Sequence, residues 1–159
     1  MIEQQYIITN DTYAIIPAKH IDYQSIVIEA KGTKFIKQTP LELIRHSCTQ
    51  YWADYEGRRN AVITHLKYKQ KTPIPVSVQH KLCFFPTHSP THMDNCWINC
   101  AHVNHWGRIE KGKRTSEKQT EILFNNWHRL ELGISMHTLQ QQMDRAFVVM
   151  VESGMVHYK

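Results

Sequence analysis

Between Leu82 and Trp106 the sequence gathers Cys83, His88, His92, Asp94, Cys96, Cys100, His102 and His105. Thiolate, imidazole and carboxylate are the side chains that hold a transition metal, so zinc is the first chemistry to weigh. The spacing argues against it. No C-x2-C pair occurs, and on a strand running from Cys96 to Val103 the thiols of Cys96 and Cys100 stand about 13 Å apart at ~3.3 Å per residue. That is too far for both to bind one ion. Small buried thiols and polar histidines on a strand face are the plainer reading, and no metal or other cofactor is expected.

His102-Val103-Asn104-His105 has the histidines and asparagine found in small metal-dependent nucleases, where a histidine activates water beside a bound cation. In a chain with 11 histidines a match of four residues is easily accidental. It defines the alternative function, a metal-dependent nuclease or other nucleic-acid enzyme using segment 83–105. Other catalytic patterns are missing: there is no Gly-rich phosphate loop, no G-x-S-x-G elbow, and no carboxylate pair at a spacing suited to acid and base work. Nothing singles out Cys48, Cys83, Cys96 or Cys100 as a nucleophile. A non-enzyme without catalytic residues is expected.

Charge gives a clearer direction. From Gly57 to Lys81 lie Arg58, Arg59, Lys67, Lys69, Lys71 and Lys81 with no acidic residue, while the whole chain carries only +5. A second group, Arg108, Lys111, Lys113, Arg114 and Lys118, is diluted only by Glu110 and Glu117. One sign of charge concentrated in this way favours a polyanionic partner, although solvated basic loops are common. Tyr51, Trp52, Tyr55 and Tyr68 interleave with the first group and could stack on bases, but at helix or strand spacing such residues more often build a core or a dimer face.

The elements that must position these residues begin as a β-meander. Short strands are expected over Tyr6 to Thr9, Thr12 to Ile16, Ser25 to Ala30 and Thr33 to Lys37, with turns at Asn10-Asp11 and Lys31-Gly32. Thr39-Pro40-Leu41-Glu42 is a capping box with proline at the first helical position, which predicts a helix from Pro40 to Gln50. Beyond a break at Gly57, the alternation from Ala61 to Tyr68 predicts a strand, as do Leu82 to Phe85 and Cys96 to Val103. Thr120 to Phe124 and Trp127 to Leu132 flank Asn125-Asn126 as a hairpin. Ser135 caps a last helix near 136–152, with Leu139, Met143, Ala146 or Phe147, and Met150 on one face and Gly154 to end it.

The expectation is α+β: a single domain over 1–159, mostly antiparallel sheet, with a short helix near 40–50 and a C-terminal helix near 136–152. Hydrophobic residues at 42% and only 6 Gly and 6 Pro in 159 residues exclude disordered and fibrous classes. No apolar run approaches the roughly 18 residues of a membrane span, and Met1-Ile2-Glu3-Gln4-Gln5 lacks the basic and apolar regions of an export signal. A cytoplasmic protein with four reduced cysteines and no disulfide is expected.

Three stretches follow one another in a recognisable order. Pro40-Leu41-Glu42-Leu43-Ile44, Ser47-Cys48 and Tyr55-Glu56-Gly57-Arg58-Arg59 come first. Phe84-Phe85-Pro86-Thr87-His88-Ser89, then Cys96-Trp97-Ile98 and His102-Val103, come next. Leu130-Glu131-Leu132-Gly133-Ile134-Ser135 precedes the last helix. Together they resemble the competence transcription factor (ComK) family, with its short helix, Ser-Cys pair and Tyr-x-Gly-Arg-basic turn, its Phe-Pro-Thr-x-Ser block, Trp-Ile and His-Val, and its Glu-Leu-Pro-Ile-Ser segment. The resemblance implies a nucleoid-associated transcriptional activator for competence, binding paired A/T-rich boxes of double-stranded DNA chiefly through the minor groove, as a homodimer or higher assembly. It also implies control by adaptor-directed proteolysis acting partly on a C-terminal tail, for which the sequence, ending at Lys159, offers no evident counterpart.

A/T tracts narrow the minor groove and deepen its negative potential, so an arginine on a turn can enter it without a recognition helix. On this reading Arg58 and Arg59 in the turn after Gly57 enter the groove. Lys67, Lys69, Lys71, Arg108, Lys111, Lys113 and Arg114 contact phosphates. The competing classes are a metal-dependent nuclease and a basic interaction module without DNA sequence preference.

Overall fold

The computed structural model describes residues 1–157. Its ten strands are β1 (Ile2–Glu3), β2 (Thr12–Pro17), β3 (Ser25–Glu29), β4 (Gly32–Ile36), β5 (Ile74–Ser77), β6 (Leu82–Pro86), β7 (Trp97–Asn99), β8 (Val103–Arg108), β9 (Thr120–Phe124) and β10 (Arg129–Leu132). The helices are α1 (Pro40–Gln50), α2 (Tyr55–Leu66) and α3 (Met136–Glu152). Seven strands form one sheet in the order β1-β4-β3-β2-β7-β6-β5, and three form a second, β10-β9-β8. Every pairing is antiparallel except β1 with β4. The class is α+β, as expected.

Period-two alternation in the large sheet feeds two separate cores. Ile15, Leu82, Phe84 and Trp97 face Leu43, Ile44 and Cys48 of α1. Their neighbours Ala14, Cys83, Phe85 and Ile98 face Leu139, Ala146, Val149 and Met150 of α3, joined by Ile122, Phe124 and Leu132 of the small sheet. Helix α2 joins the two cores, placing Tyr55 in the first and Val62 in the second. It packs on β5, the outermost strand of the large sheet, and so covers an edge that would otherwise be open to pairing.

α1 and α3 occupy their expected bounds. Thr39 Oγ1 accepts from the Glu42 N–H at 3.2 Å, and Ser135 Oγ accepts from the Thr138 N–H at 3.1 Å. Four expectations are corrected. Of the predicted strand Ala61–Tyr68, Ala61 to Leu66 are the last part of α2, which starts at the N-cap Asp54 and passes through Gly57, and Lys67 and Tyr68 begin the loop after it. The segment Tyr6–Thr9 joins no sheet, because side chains take its backbone donors: Tyr6 N–H donates to Gln38 Oε1 and Ile8 N–H to Ser47 Oγ, both at 3.0 Å. The predicted strand Cys96–Val103 stops at Asn99, where Cys100–His102 turn as a 3-10 helix and carry the chain into the small sheet. The β9–β10 connection is four residues, Asn125 to His128, and the Phe124 N–H donates to the His128 carbonyl across it. The sequence reading also missed β5, whose Pro75 belongs on an edge strand.

Candidate nucleic-acid interface

The first basic group divides between α2 and the loop after it. Gly57-Arg58-Arg59 is helical, so these arginines are not presented on a turn, which corrects the expected geometry. Both are half-buried. Arg58 lies in a cleft with Val62, Leu66, Pro75, Val149 and Glu152, where its buried Nε has no partner among the described residues. Arg59 donates from Nη2 to the Lys69 carbonyl at 3.1 Å and so fixes the loop.

That loop is fastened along its length. Lys67 closes α2 in the left-handed region at φ 63, its N–H donating to the Ile63 carbonyl at 2.9 Å. Arg145 of α3 donates to the Gln70 carbonyl at 3.1 Å, with its guanidinium 4.8 Å over the Tyr68 ring. Buried Gln142 of α3 donates to the carbonyls of Lys71 at 2.9 Å and Pro86 at 2.7 Å. Thr72 Oγ1 donates to the Tyr68 carbonyl at 2.6 Å. The backbone is therefore turned inward, while Lys67 and Lys69 are exposed and Lys71 is half-buried.

The second group begins at Arg108, exposed at the end of edge strand β8. Buried Ile109 anchors the segment after it, donating its N–H to the Gln119 carbonyl at 2.9 Å. Lys111 and Lys113 lie on a short 3-10 turn, Lys113 is 3.7 Å from Glu110, and Arg114 Nε donates to the Ile109 carbonyl at 3.3 Å. All residues from Lys111 to Gln119 are exposed.

One cation from each group, Lys71 and Lys118, bears on His88. Burial holds its pKa below the ordinary histidine value, the stacked His92 ring 4.7 Å away adds to this, and Lys71 and Lys118 both disfavour its charging, while Asp94 opposes them. A cleft of about 620 Å³ opens beside it, lined by Lys19, Asp94, Cys96, Lys118 and Gly133 among others. Lys71 and Lys118, distant in sequence, thus both act on His88, and Lys118 also lines the cleft beside it.

The His/Cys-rich segment is dispersed. His102 meets the Asn10 carbonyl through Nε2 and lies 4.4 Å from the Tyr13 ring, whereas His105 is exposed on β8. Cys96 packs near Asp94 and Thr87, and Cys100 donates to the Cys83 carbonyl at 3.3 Å. Because the strand ends at Asn99, the distance argument from a continuous strand no longer applies. Among the described residues no three His, Cys, Asp or Glu groups come together as metal ligands. Burial pushes the Cys48 and Cys96 thiols up to about 11, away from the thiolate a nucleophile needs. Among the described residues no helix is long and apolar enough to cross a membrane.

Comparison with known proteins adds a family. The ComK protein family matches residues 3–155. The competence transcription factor of Bacillus subtilis (strain 168) is 29% identical over 144 residues, covering 89% of this chain and 71% of that protein. No solved structure matches.

Proposed function

The chain belongs to the ComK protein family, which is not an enzyme family, and from that premise we propose that it is a transcriptional activator that binds A/T-rich boxes of double-stranded DNA, chiefly through the minor groove. The observation that carries the reading is the exposed presentation of cations on two segments, the loop after α2 and residues 111–119, with Lys71 and Lys118 both acting on His88. Lys67, Lys69 and Lys71 contact phosphates from the fastened loop, and Lys111, Lys113 and Arg114 from the exposed segment. Arg108 stands at the end of an edge strand, where a guanidinium can follow a narrowed groove inward. Arg58 and Arg59 act from α2, with Arg59 holding the Lys69 backbone in place. The whole chain works as one DNA-binding domain and assembles as a dimer on paired boxes at the nucleoid.

Titration against A/T-box and G/C-substituted duplexes over a range of salt tests this. Affinity should fall steeply with salt, with a slope of about −0.9 per phosphate neutralised. The Lys69→Ala/Lys71→Ala pair should lower affinity about equally on both duplexes and reduce the slope, whereas Arg108→Ala should lose preference for A/T. A flat salt dependence removes the proposed surface, and equal affinity of the unsubstituted protein for both duplexes removes the A/T reading.

A further inference from the structure

Two tryptophans stand in solvent on backbone that bulky residues seldom adopt: Trp52 is 98% exposed at φ 63, and Trp127 is 74% exposed at φ 69. Left-handed backbone strains any residue with a Cβ, and such strain persists only where the surroundings impose it. Trp52 comes just after α1, on the opposite side of the large sheet from α3. Trp127 sits at the tip of the β9–β10 connection, and this tip is tightly built. Trp127 N–H donates to the Phe124 carbonyl at 2.9 Å, His128 N–H to Asn126 Oδ1 at 3.0 Å, Asn126 Nδ2 to the Ala30 carbonyl at 3.0 Å, and Asn125 N–H to the His102 carbonyl at 3.0 Å. The indole is held out by a fixed frame.

The groups around it are neutral hydrogen-bonding side chains. Asn104, His105, Asn125, Asn126 and His128 are all exposed, and the nearest turns add one charge of each sign, Lys31 and Asp11. Glu121 and Glu131 on the small sheet are paired with Arg129. Amide side chains of this kind read the acceptors on the floor of the minor groove, and an apolar wedge beside them unstacks a base step and bends the duplex. Strand β8 joins this rim to the basic end: its exposed positions Asn104, His105 and Arg108 carry no acid, and its six residues span about 17 Å at ~3.3 Å per residue. One duplex lying along that edge would meet Arg108 and the phosphate ligands beyond it at one end, and the tip at Asn104 at the other.

We propose that the β9–β10 tip is a second DNA contact, in which Trp127 acts as a wedge against the base pairs and Asn104 and Asn125 face the groove. It rests on the DNA-binding reading above and extends it to residues outside the basic groups. Because the wedge touches bases and neutralises no phosphate, it adds affinity without adding salt dependence.

The experiment compares the unsubstituted protein with Trp127→Gly, Trp127→Phe and Trp52→Gly by thermal unfolding and by titration with an A/T-tract duplex at several salt concentrations. Glycine takes the left-handed backbone without strain, so Trp127→Gly should melt no lower than the parent. It should nevertheless bind the duplex about tenfold more weakly, with an unchanged salt slope. Trp127→Phe should keep most of the affinity, and Trp52→Gly all of it. Undiminished binding by Trp127→Gly overturns the wedge, as does a loss accompanied by a shallower salt slope. Tighter binding to the separated strands than to the duplex makes single-stranded nucleic acid the partner and overturns it too. Failure of the unsubstituted protein to bind any duplex is a different result, which removes the activator reading itself.

Discussion

The two basic segments have the same kind of charge and opposite construction. The loop after α2 is fixed by Arg59, Arg145, Gln142 and Thr72, each donating to one of its carbonyls, whereas Lys111 to Gln119 is exposed throughout and tied mainly by Ile109, Arg114 and the Glu110–Lys113 pair. A fastened loop presents its ammonium groups with little further loss of freedom on binding, while an exposed segment adapts its path and loses entropy as it does so. Fixed and adaptable cations side by side suit a partner whose phosphates keep a regular spacing while its local shape varies with sequence.

The largest effect should come from Gln142. Gln142→Leu leaves the carbonyls of Lys71 and Pro86 without their donor but also removes an Oε1 that is itself buried without a partner among the described residues. The net cost should be about 2 kcal/mol in urea unfolding, with faster amide exchange over 67–72. Unchanged stability and exchange would place the two segments on an equal footing. Replacing Lys111, Lys113 and Arg114 together by alanine should come next: stability within about 0.5 kcal/mol of the parent, DNA affinity about tenfold lower, and a salt slope shallower by up to about 3. A marked drop in stability would show that this segment too is structural.

The smallest effect concerns His88, on which one cation from each segment acts. Its pKa in the folded chain lies below the ordinary value of about 6.5, so the unfolded chain binds a proton first as pH falls. Stability should therefore decline from about pH 6.5 downward until the folded-state pKa is passed, and His88→Gln should make that decline shallower. Chemical denaturation at about pH 7.5 and about pH 5.5, on either side of the ordinary histidine value, measures the difference. An identical decline in both proteins would mean that burial, with His92, Lys71 and Lys118, does not hold this pKa down.

Much of this architecture was legible, and the exceptions are physical. Helices α1 and α3 were readable to their ends because Thr39 and Ser135 fix where each begins. Helix α2 was not, because only Tyr55 and Val62 are buried along it, and so faint an apolar stripe lets Val62-Ile63-Thr64 pass for a strand. β5 was hidden by Pro75 within it and Pro73 just before it, and Tyr6–Thr9 looks like a strand whose partners turn out to be side chains. The basic residues of the proposed interface were visible in composition alone. Their presentation was not, since whether Arg58 and Arg59 stand on a turn or a helix depends on α2, and the placing of Lys71 depends on α3. Trp52 attracted notice only as a neighbour of cations and Trp127 only as a strand end, because exposure and backbone sign are properties of the folded chain.

The central pairing of β2 with β7, Ala14 opposite Ile98, has a consequence for how the chain is made. On the ribosome β2, β3 and β4 emerge early and can form a meander by local contacts, but one edge of β2 stays unpaired until Trp97–Asn99 have been synthesised. Closing so long a loop is slow, and an open edge flanked by Ile15 and Val27 invites pairing with another nascent chain. The order of synthesis thus makes β7 the strand that commits the sheet, so chains halted before Asn99 should aggregate, whereas those that pass it can close both cores around one seam.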